Sequence, residues 1–381
     1  MSRKLISIST IMTLMSTSVM ADVPNVAADI APIHSLVSRV MDGVGEPKLV
    51  IQSGASPHGY RLRPSEAKAL QDANLIFWMG EELTPWLDGA IDTLASNSSV
   101  TSLLDQEGVV LHDFREGALF EAHDHSAHDE HDDHDDHDDH KDHDDHDDHD
   151  DHKDHDDHDD HDDHDDHKDH DDHDDHDDHD DHDDHDDHDD HDDHDDHDDH
   201  KDHDDHDDHG HGAHDPHAWL SPENAKLWLN IIASKLSVAD PENAASYFTN
   251  AAAGQAEIED MVAEVSATLK PVQGGKFVVF HDAYQYFEND FDFYASGAIS
   301  LGDASDPSPA RIAEIQRRIQ EEGIQCVLAE PQYKKGLVAT VMEGSEATAS
   351  VIDPLGADIK PGPMLYTQLI KNMAKKIKDC L

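Results

Sequence analysis

The stretch Leu49-Val50-Ile51-Gln52-Ser53-Gly54-Ala55-Ser56-Pro57-His58-Gly59-Tyr60 runs from three aliphatic residues straight into small, turn-forming ones, and carries a single histidine. Such a run reads as a buried strand that ends in a loop. Beyond it, Pro64-Ser65-Glu66-Ala67-Lys68-Ala69-Leu70 opens a helix, with proline first and an acid in the first turn. Leu75-Ile76-Phe77-Trp78-Met79 is a further strand, closed by Gly80. Before it, residues 25–29 read as a short strand, and residues 33–41 as a helix with Ile33, Leu36, Val37 and Val40 at helical spacing. Strands alternating with helices imply a parallel sheet, whose ligands sit in loops beyond the carboxyl ends of the strands. His58 falls in such a loop.

The alternation resumes in the last third of the chain. Residues 222–236 read as a helix, and Asp240-Pro241-Glu242 opens a much longer pattern through Tyr247, Phe248, Ile258, Met261, Val262 and Val265 to Leu269. About thirty helical residues would be roughly 45 Å long, enough to span two lobes. Strands are then expected at 276–280, ending in His281-Asp282, at 326–330 and at 350–352, with helices at 309–321 and 364–381.

Between these halves lies a segment of another kind. From His131 to His209 a histidine recurs at every third position, separated by Asp-Asp or, four times, by Lys-Asp. Residues 123–214 hold no aliphatic side chain larger than alanine, so they cannot offset the ~1–2 kcal/mol per residue that backbone ordering costs, and are expected to stay unfolded without a ligand. Imidazole suits zinc, copper and nickel, and histidine-rich tracts commonly bind metal. The segment carries 51 acidic residues against 4 lysines, −47 of the chain's formal −63, and leaves −16 for the remainder. That sign argues against nucleic acid and anionic lipid as partners and favours cations.

Arg3 and Lys4, an apolar run over 5–14 and Val19-Met20-Ala21 before Asp22 have the form of a cleavable export signal spanning residues 1–21. No Cys follows the apolar run, and no later stretch is long and apolar enough to span a bilayer, so the mature chain is expected to be soluble in the periplasm. In an oxidising compartment Cys326 and Cys380 are expected to form a disulfide rather than two free thiols, tying the last helix to a strand at ~3–4 kcal/mol in the chain-entropy model.

Chemistry gathers at strand ends and loops. His58, His217 and His281 stand far apart in sequence but in corresponding contexts, and Asp353 could add a carboxylate oxygen to complete the four-coordinate shell that zinc commonly takes. His34, on the first helix, and His112, without a matching loop, read as structural.

The motifs Gly54-Ala55-Ser56-Pro57-His58 with Leu62-Arg63-Pro64-Ser65, His217-Ala218-Trp219-Leu220-Ser221-Pro222, Val279-Phe280-His281-Asp282-Ala283-Tyr284, Ala329-Glu330-Pro331-Gln332 and Ile352-Asp353-Pro354-Leu355-Gly356 jointly resemble one family. It is that of the ZnuA-type zinc-binding proteins, the metal-specific substrate-binding proteins that serve ATP-driven importers. The resemblance covers nearly the whole mature chain. It implies an α/β fold of two lobes, each with a mostly parallel sheet flanked by helices, joined by one long rigid helix, with a metal in the cleft and a histidine-rich loop overhanging it. It makes His58, His217 and His281 the metal ligands. Some zinc members have Glu where this chain has Pro57, so the fourth ligand is assigned to Asp353, with water as the alternative.

The function implied is capture of periplasmic Zn2+ and its delivery to an inner-membrane ABC permease, by a monomer that is not an enzyme. In the repeat, His123, His125, His128, His131, His209, His211 and His214 would serve as auxiliary ligands of a zinc scavenger. The organisation expected is a signal at 1–21, a first lobe from 22–122 and 215–239 interrupted by the loop 123–214, a linking helix at 240–270 and a second lobe at 271–381. A manganese-specific member of the family and a periplasmic metal buffer are the alternatives. Three imidazoles favour zinc over manganese on ligand preference. A metallohydrolase would need a general base beside a metal-bound water, and neither an HExxH helix nor a nucleophile motif is present.

Overall fold

The computed structural model describes residues 23–115, 214–301, 305–333 and 335–381. The leader at 1–21 and the repeat histidines His123, His125, His128, His131, His209 and His211 lie outside those residues.

The first sheet contains β1 (Val26–Ala28), β2 (Lys48–Leu49), β3 (Leu75–Trp78) and β4 (Ser99–Ser102), in the order β2-β1-β3-β4 with every pair parallel. Its helices are α1 (Ala31–Val40), α2 (Pro64–Gln71) and α3 (Pro85–Leu94). All four residues of β3 are buried, as expected of a central parallel strand covered on both faces. The strand order reverses between β1 and β3, where an open α/β sheet usually receives its ligand. Here that crevice is closed by Asp29, whose carboxylate accepts the Ile30 and Met79 N–H groups, both at 2.7 Å.

Two helices lead to the second sheet. In α4 (Pro222–Ala239) proline stands in the first turn and the Ser221 hydroxyl accepts from the Asn224 N–H, so an orphan donor of the helix start is satisfied. The long helix α5 (Ala244–Leu269) begins later than 240, because Pro241–Asn243 form a 3-10 turn under a cap in which Asp240 accepts from Asn243 Nδ2 and Tyr247 Oη. Its 26 residues are about 39 Å long. Tyr247, Ala251, Gly254, Ile258, Met261, Val265 and Leu269 make one buried stripe with steps of three and four, whereas Phe248 is exposed. Gly254 permits a close crossing: a Cβ there would lie 3.0 Å from a Leu229 methyl and 3.1 Å from Arg39 Cγ.

The second sheet repeats the topology, with β5 (Phe277–His281), β6 (Ala298–Ser300), β7 (Cys326–Ala329) and β8 (Thr348–Val351) in the parallel order β6-β5-β7-β8. Around it lie α6 (Gln285–Phe291), α7 (Pro309–Glu321), α8 (Lys335–Val341) and α9 (Leu365–Cys380). The reversal here falls between β5 and β7, and His281 and Glu330 stand at the ends of those two strands. One apolar cluster runs without a break from Phe77 in β3 through Ile258 in α5 to Phe277 in β5 and Ile370 in α9.

The expected disulfide joins Cys326 of β7 to Cys380 of α9. Five elements escape the sequence reading: α3, β4, α6, β6 and α8. They are short, β4 is half exposed at a sheet edge, and α3 carries Gly89. Replacing both cysteines by alanine is expected to lower stability by ~3–4 kcal/mol through the lost loop closure. This would be read as a lower midpoint in urea unfolding; an unchanged midpoint would show that the crosslink contributes nothing.

Candidate metal centre

His58 reaches the site from the loop after β2. The loop is held from outside, since Trp86 Nε1 of α3 donates to the Pro57 carbonyl at 2.7 Å and the Tyr60 ring lies against Trp86. At the loop's far end, Tyr60 Oη donates to Glu66, whose other oxygen accepts the Arg63 N–H at the start of α2. His217 stands just before the 3-10 turn Ala218–Leu220 that leads into α4, and Tyr286 Oη fixes the preceding backbone by donating to the Asp215 carbonyl at 2.7 Å. His281 is the last residue of β5. His217 and His281 are buried, and His58 is half-buried.

The three rings converge. His217 Nε2 is 3.4 Å from His58 Nε2 and 3.3 Å from His281 Nε2, and one nitrogen from each ring lies within 4.8 Å of the other two. The opposite edges of two rings meet carboxylates: His217 Nδ1 is 2.6 Å from Asp215 Oδ1, and His281 Nδ1 is 2.6 Å from Glu330 Oε1. In a neutral ring the proton then sits on Nδ1, so Nε2 presents a lone pair. Two lone pairs 3.3 Å apart repel unless a cation or a proton lies between them. A carboxylate behind a metal-ligating histidine is the usual device that sets tautomer and ring orientation together.

Burial, followed by the proximity of His281, holds the His217 imidazole well below its ordinary pKa, so it stays neutral and able to ligate. Burial also opposes the charged form of His281, but the Glu330 carboxylate outweighs it and the pKa is raised. Burial pushes Asp215 up to about 6. A second ionic group adjoins the site: the Arg115 guanidinium bonds both oxygens of Asp282, the residue after His281, and reaches Glu288 Oε2 at 2.6 Å. Ser56, Pro57, Trp219, Gln332, Tyr333, Pro354 and Leu355 complete a cavity of about 10 Å³. That is too small for an organic substrate and suits an ion with a small ligand at the pocket mouth.

Asp353 does not join the cluster. Its Oδ1 accepts from the Leu355 N–H at 3.0 Å and from Gln332 Nε2 at 2.9 Å, and its Oδ2 accepts from the Ala357 N–H, so its lone pairs serve its own loop. His34, on α1, is buried with Nε2 3.2 Å from the Pro47 carbonyl, and His112 packs on the Tyr286 ring beside Asn289. His214 pairs with Asp113 in an antiparallel bridge at the edge of the undescribed segment.

Two parallel sheets, a long helix joining them and a small enclosed pocket between strand ends define a two-lobed substrate-binding protein. The chain belongs to the ZnuA family, zinc-uptake complex component A, periplasmic, whose model matches residues 26–380. It is 43% identical over 356 residues to the high-affinity zinc uptake system protein ZnuA of Brucella abortus (strain 2308), spanning 93% of this chain and 91% of that protein. To ZnuA of Paracoccus denitrificans (strain Pd 1222) it is 41% identical over 362 residues, spanning 95% and 93%. A crystal structure of ZnuA superposes with a TM-score of 0.62 over 94% of this chain and 99% of that one; at 17% identity this speaks for the fold alone. The chain is thus a zinc-uptake substrate-binding protein of a periplasmic family, which is not an enzyme class. Among the described residues no helix is long and apolar enough to cross a membrane.

The sequence reading assigns no role to Asp215, Glu330 or Arg115. Asp215 carries a signal in its place two residues before His217. Glu330 becomes visible only once β7 is known to lie beside β5. Glu330→Gln is expected to weaken zinc binding ~10–100-fold at about pH 7.5, through loss of the partner that orients His281. It should also move the acid loss of zinc to lower pH. The carboxylate raises the His281 pKa, so in its presence protons compete from above the ordinary histidine value of ~6.5, and without it they compete only further down. Titration against a strong chelator from about pH 7.5 to about pH 5.5 reads both effects. An onset that stays in place would show that Glu330 does not control His281.

Proposed function

We propose that the chain is exported by residues 1–21, captures zinc in the periplasm through His58, His217 and His281, and delivers it to the inner-membrane permease of an ATP-driven importer. The observation that carries this reading is the convergence of three Nε2 atoms at 3.3–3.4 Å contacts with carboxylates behind two of them. Three imidazoles with no carboxylate among the clustered atoms suit zinc better than manganese. The fourth position falls to water rather than Asp353, whose oxygens already accept three hydrogen bonds. On this reading the first lobe comprises 22–122 and 215–239, the linker 240–270 and the second lobe 271–381, and the protein acts as a monomer.

The test is a chelator competition strong enough that only the tightest site holds zinc. Replacing His58, His217 or His281 singly by alanine should abolish that site, since water substitutes poorly for an imidazole in a four-ligand shell. Tight binding that survives His281→Ala would sink the assignment. In cells, deleting the gene should stop growth on scarce zinc, with rescue by added zinc.

The histidines of the repeat, among them His123, His125, His128, His131, His209 and His211, are proposed as auxiliary sites that gather zinc, with His214 at their edge. By composition they must be ordered anew around each metal, so each site is weaker than the preformed one. Removing residues 123–213 should reduce the zinc bound from several ions to one and leave the tightest site unchanged, as measured by calorimetry. Loss of the tightest site would show that the repeat supplies a primary ligand.

A further inference from the structure

Among the described residues Gln332 has a buried side-chain oxygen with no hydrogen-bond partner, and it lines the same cavity as the three histidines. The orientation of its amide is fixed. Nε2 donates at 2.9 Å to Asp353 Oδ1, and the Asp353 carboxylate is itself held by the Leu355 and Ala357 N–H groups. Turning the amide over would set two acceptor oxygens against each other, so Oε1 is the end left without a partner. A buried acceptor without a donor is unfavourable, and such exceptions in a native structure call for a partner.

The histidine cluster supplies three nitrogen donors, whereas zinc usually takes four. We propose that Gln332 is the residue that sets the fourth position: its Oε1 accepts a hydrogen bond from a water bound to the zinc, and Asp353 orients the amide for this. The inference rests on the three-histidine reading given above. A zinc-bound water is a strong donor, and a neutral amide is a fitting acceptor. It adds no charge to a site where Asp215 and Glu330 already stand behind the imidazoles. An amide also cannot act as the general base that a hydrolase places beside a metal-bound water. Asp353 thereby acquires a role at one remove from the metal, as a positioning residue.

Cobalt(II) is the probe, because its visible spectrum reports coordination. The full chain receives one equivalent, and the spectrum of a His217→Ala chain is subtracted to remove the contribution of the repeat. Thiocyanate is then titrated to displace the water. In Gln332→Leu the water loses its acceptor, and thiocyanate should bind about tenfold more tightly than to the unaltered chain, the equivalent of one hydrogen bond. Zinc dissociation should also accelerate several-fold. Asp353→Ala keeps Gln332 but removes the acceptor that orients its amide, and should shift the thiocyanate titration in the same direction by less. It stands in if Gln332→Leu does not fold, as judged by circular dichroism of the metal-free protein. Thiocyanate affinities within twofold of the unaltered chain in both variants overturn the role of Gln332 while leaving the histidine site intact. If the unaltered chain and His217→Ala give the same cobalt spectrum, the histidine reading fails and this inference fails with it.

Discussion

A neutral imidazole that donates Nδ1–H to a carboxylate has only a lone pair to offer at Nε2, and the fold holds two such lone pairs, those of His217 and His281, 3.3 Å apart in a buried pocket. This mutual repulsion is the constraint on which the rest depends. Relief comes from a cation or a proton: burial disfavours the proton on His217 while Glu330 favours it on His281, so metal and proton compete for the same gap. Asp215 and Glu330 then place two negative charges behind the two buried rings, the number that balances a divalent ion. Removing a dication from water is costly unless such compensation is built in. A site of this kind discriminates by charge and size before any ligand preference acts.

Holding the rings in opposition requires a frame that does not yield. The two sheets share their topology but use their strand ends differently. In the second, the crevice between β5 and β7 is left to His281 and Glu330. In the first, Asp29 fills the equivalent crevice by accepting the N–H of Met79 just past β3, and the clustered histidine is carried instead on the loop after β2, pinned through Trp86. The continuous apolar cluster through α5 and α9 resists separation of the sheets, because parting them would expose residues such as Ile258 and Ile370. His58 is the most solvent-open of the three clustered rings, and each of the buried pair meets a carboxylate.

Much of this was legible in the sequence because it is periodic or local. The apolar run of β3, the stripe along α5 and the change from aliphatic to turn-forming residues around His58 each fix an element from neighbours a few positions away. The three histidines could be grouped because each stands at a strand end or in a loop. Asp353 shares that context, but its oxygens accept the N–H groups of its own turn, which spacing alone does not reveal. Glu330 and Arg115 were silent because their partners, His281 and Asp282, lie 49 and 167 positions away. Only the pairing of β5 with β7 brings the first together, and only the path of the chain around the insert brings the second.

That path shows how so long and so charged an insert can coexist with a rigid site. Its two flanks are fixed to each other immediately beside His217: Asp113 bridges His214, the Asp215 N–H donates to the His112 carbonyl at 2.7 Å, and Tyr286 Oη bonds both the His112 N–H and the Asp215 carbonyl. Arg115 adds an anchor in the Asp282 and Glu288 carboxylates, where its positive charge offsets acids that would otherwise be buried next to His281 uncompensated. Once the flanks are joined, the cost of closing the intervening chain grows only with the logarithm of its length. Repeats can then be gained or lost between 116 and 213 at little cost to folding, and the positions of His58, His217 and His281 do not depend on their number.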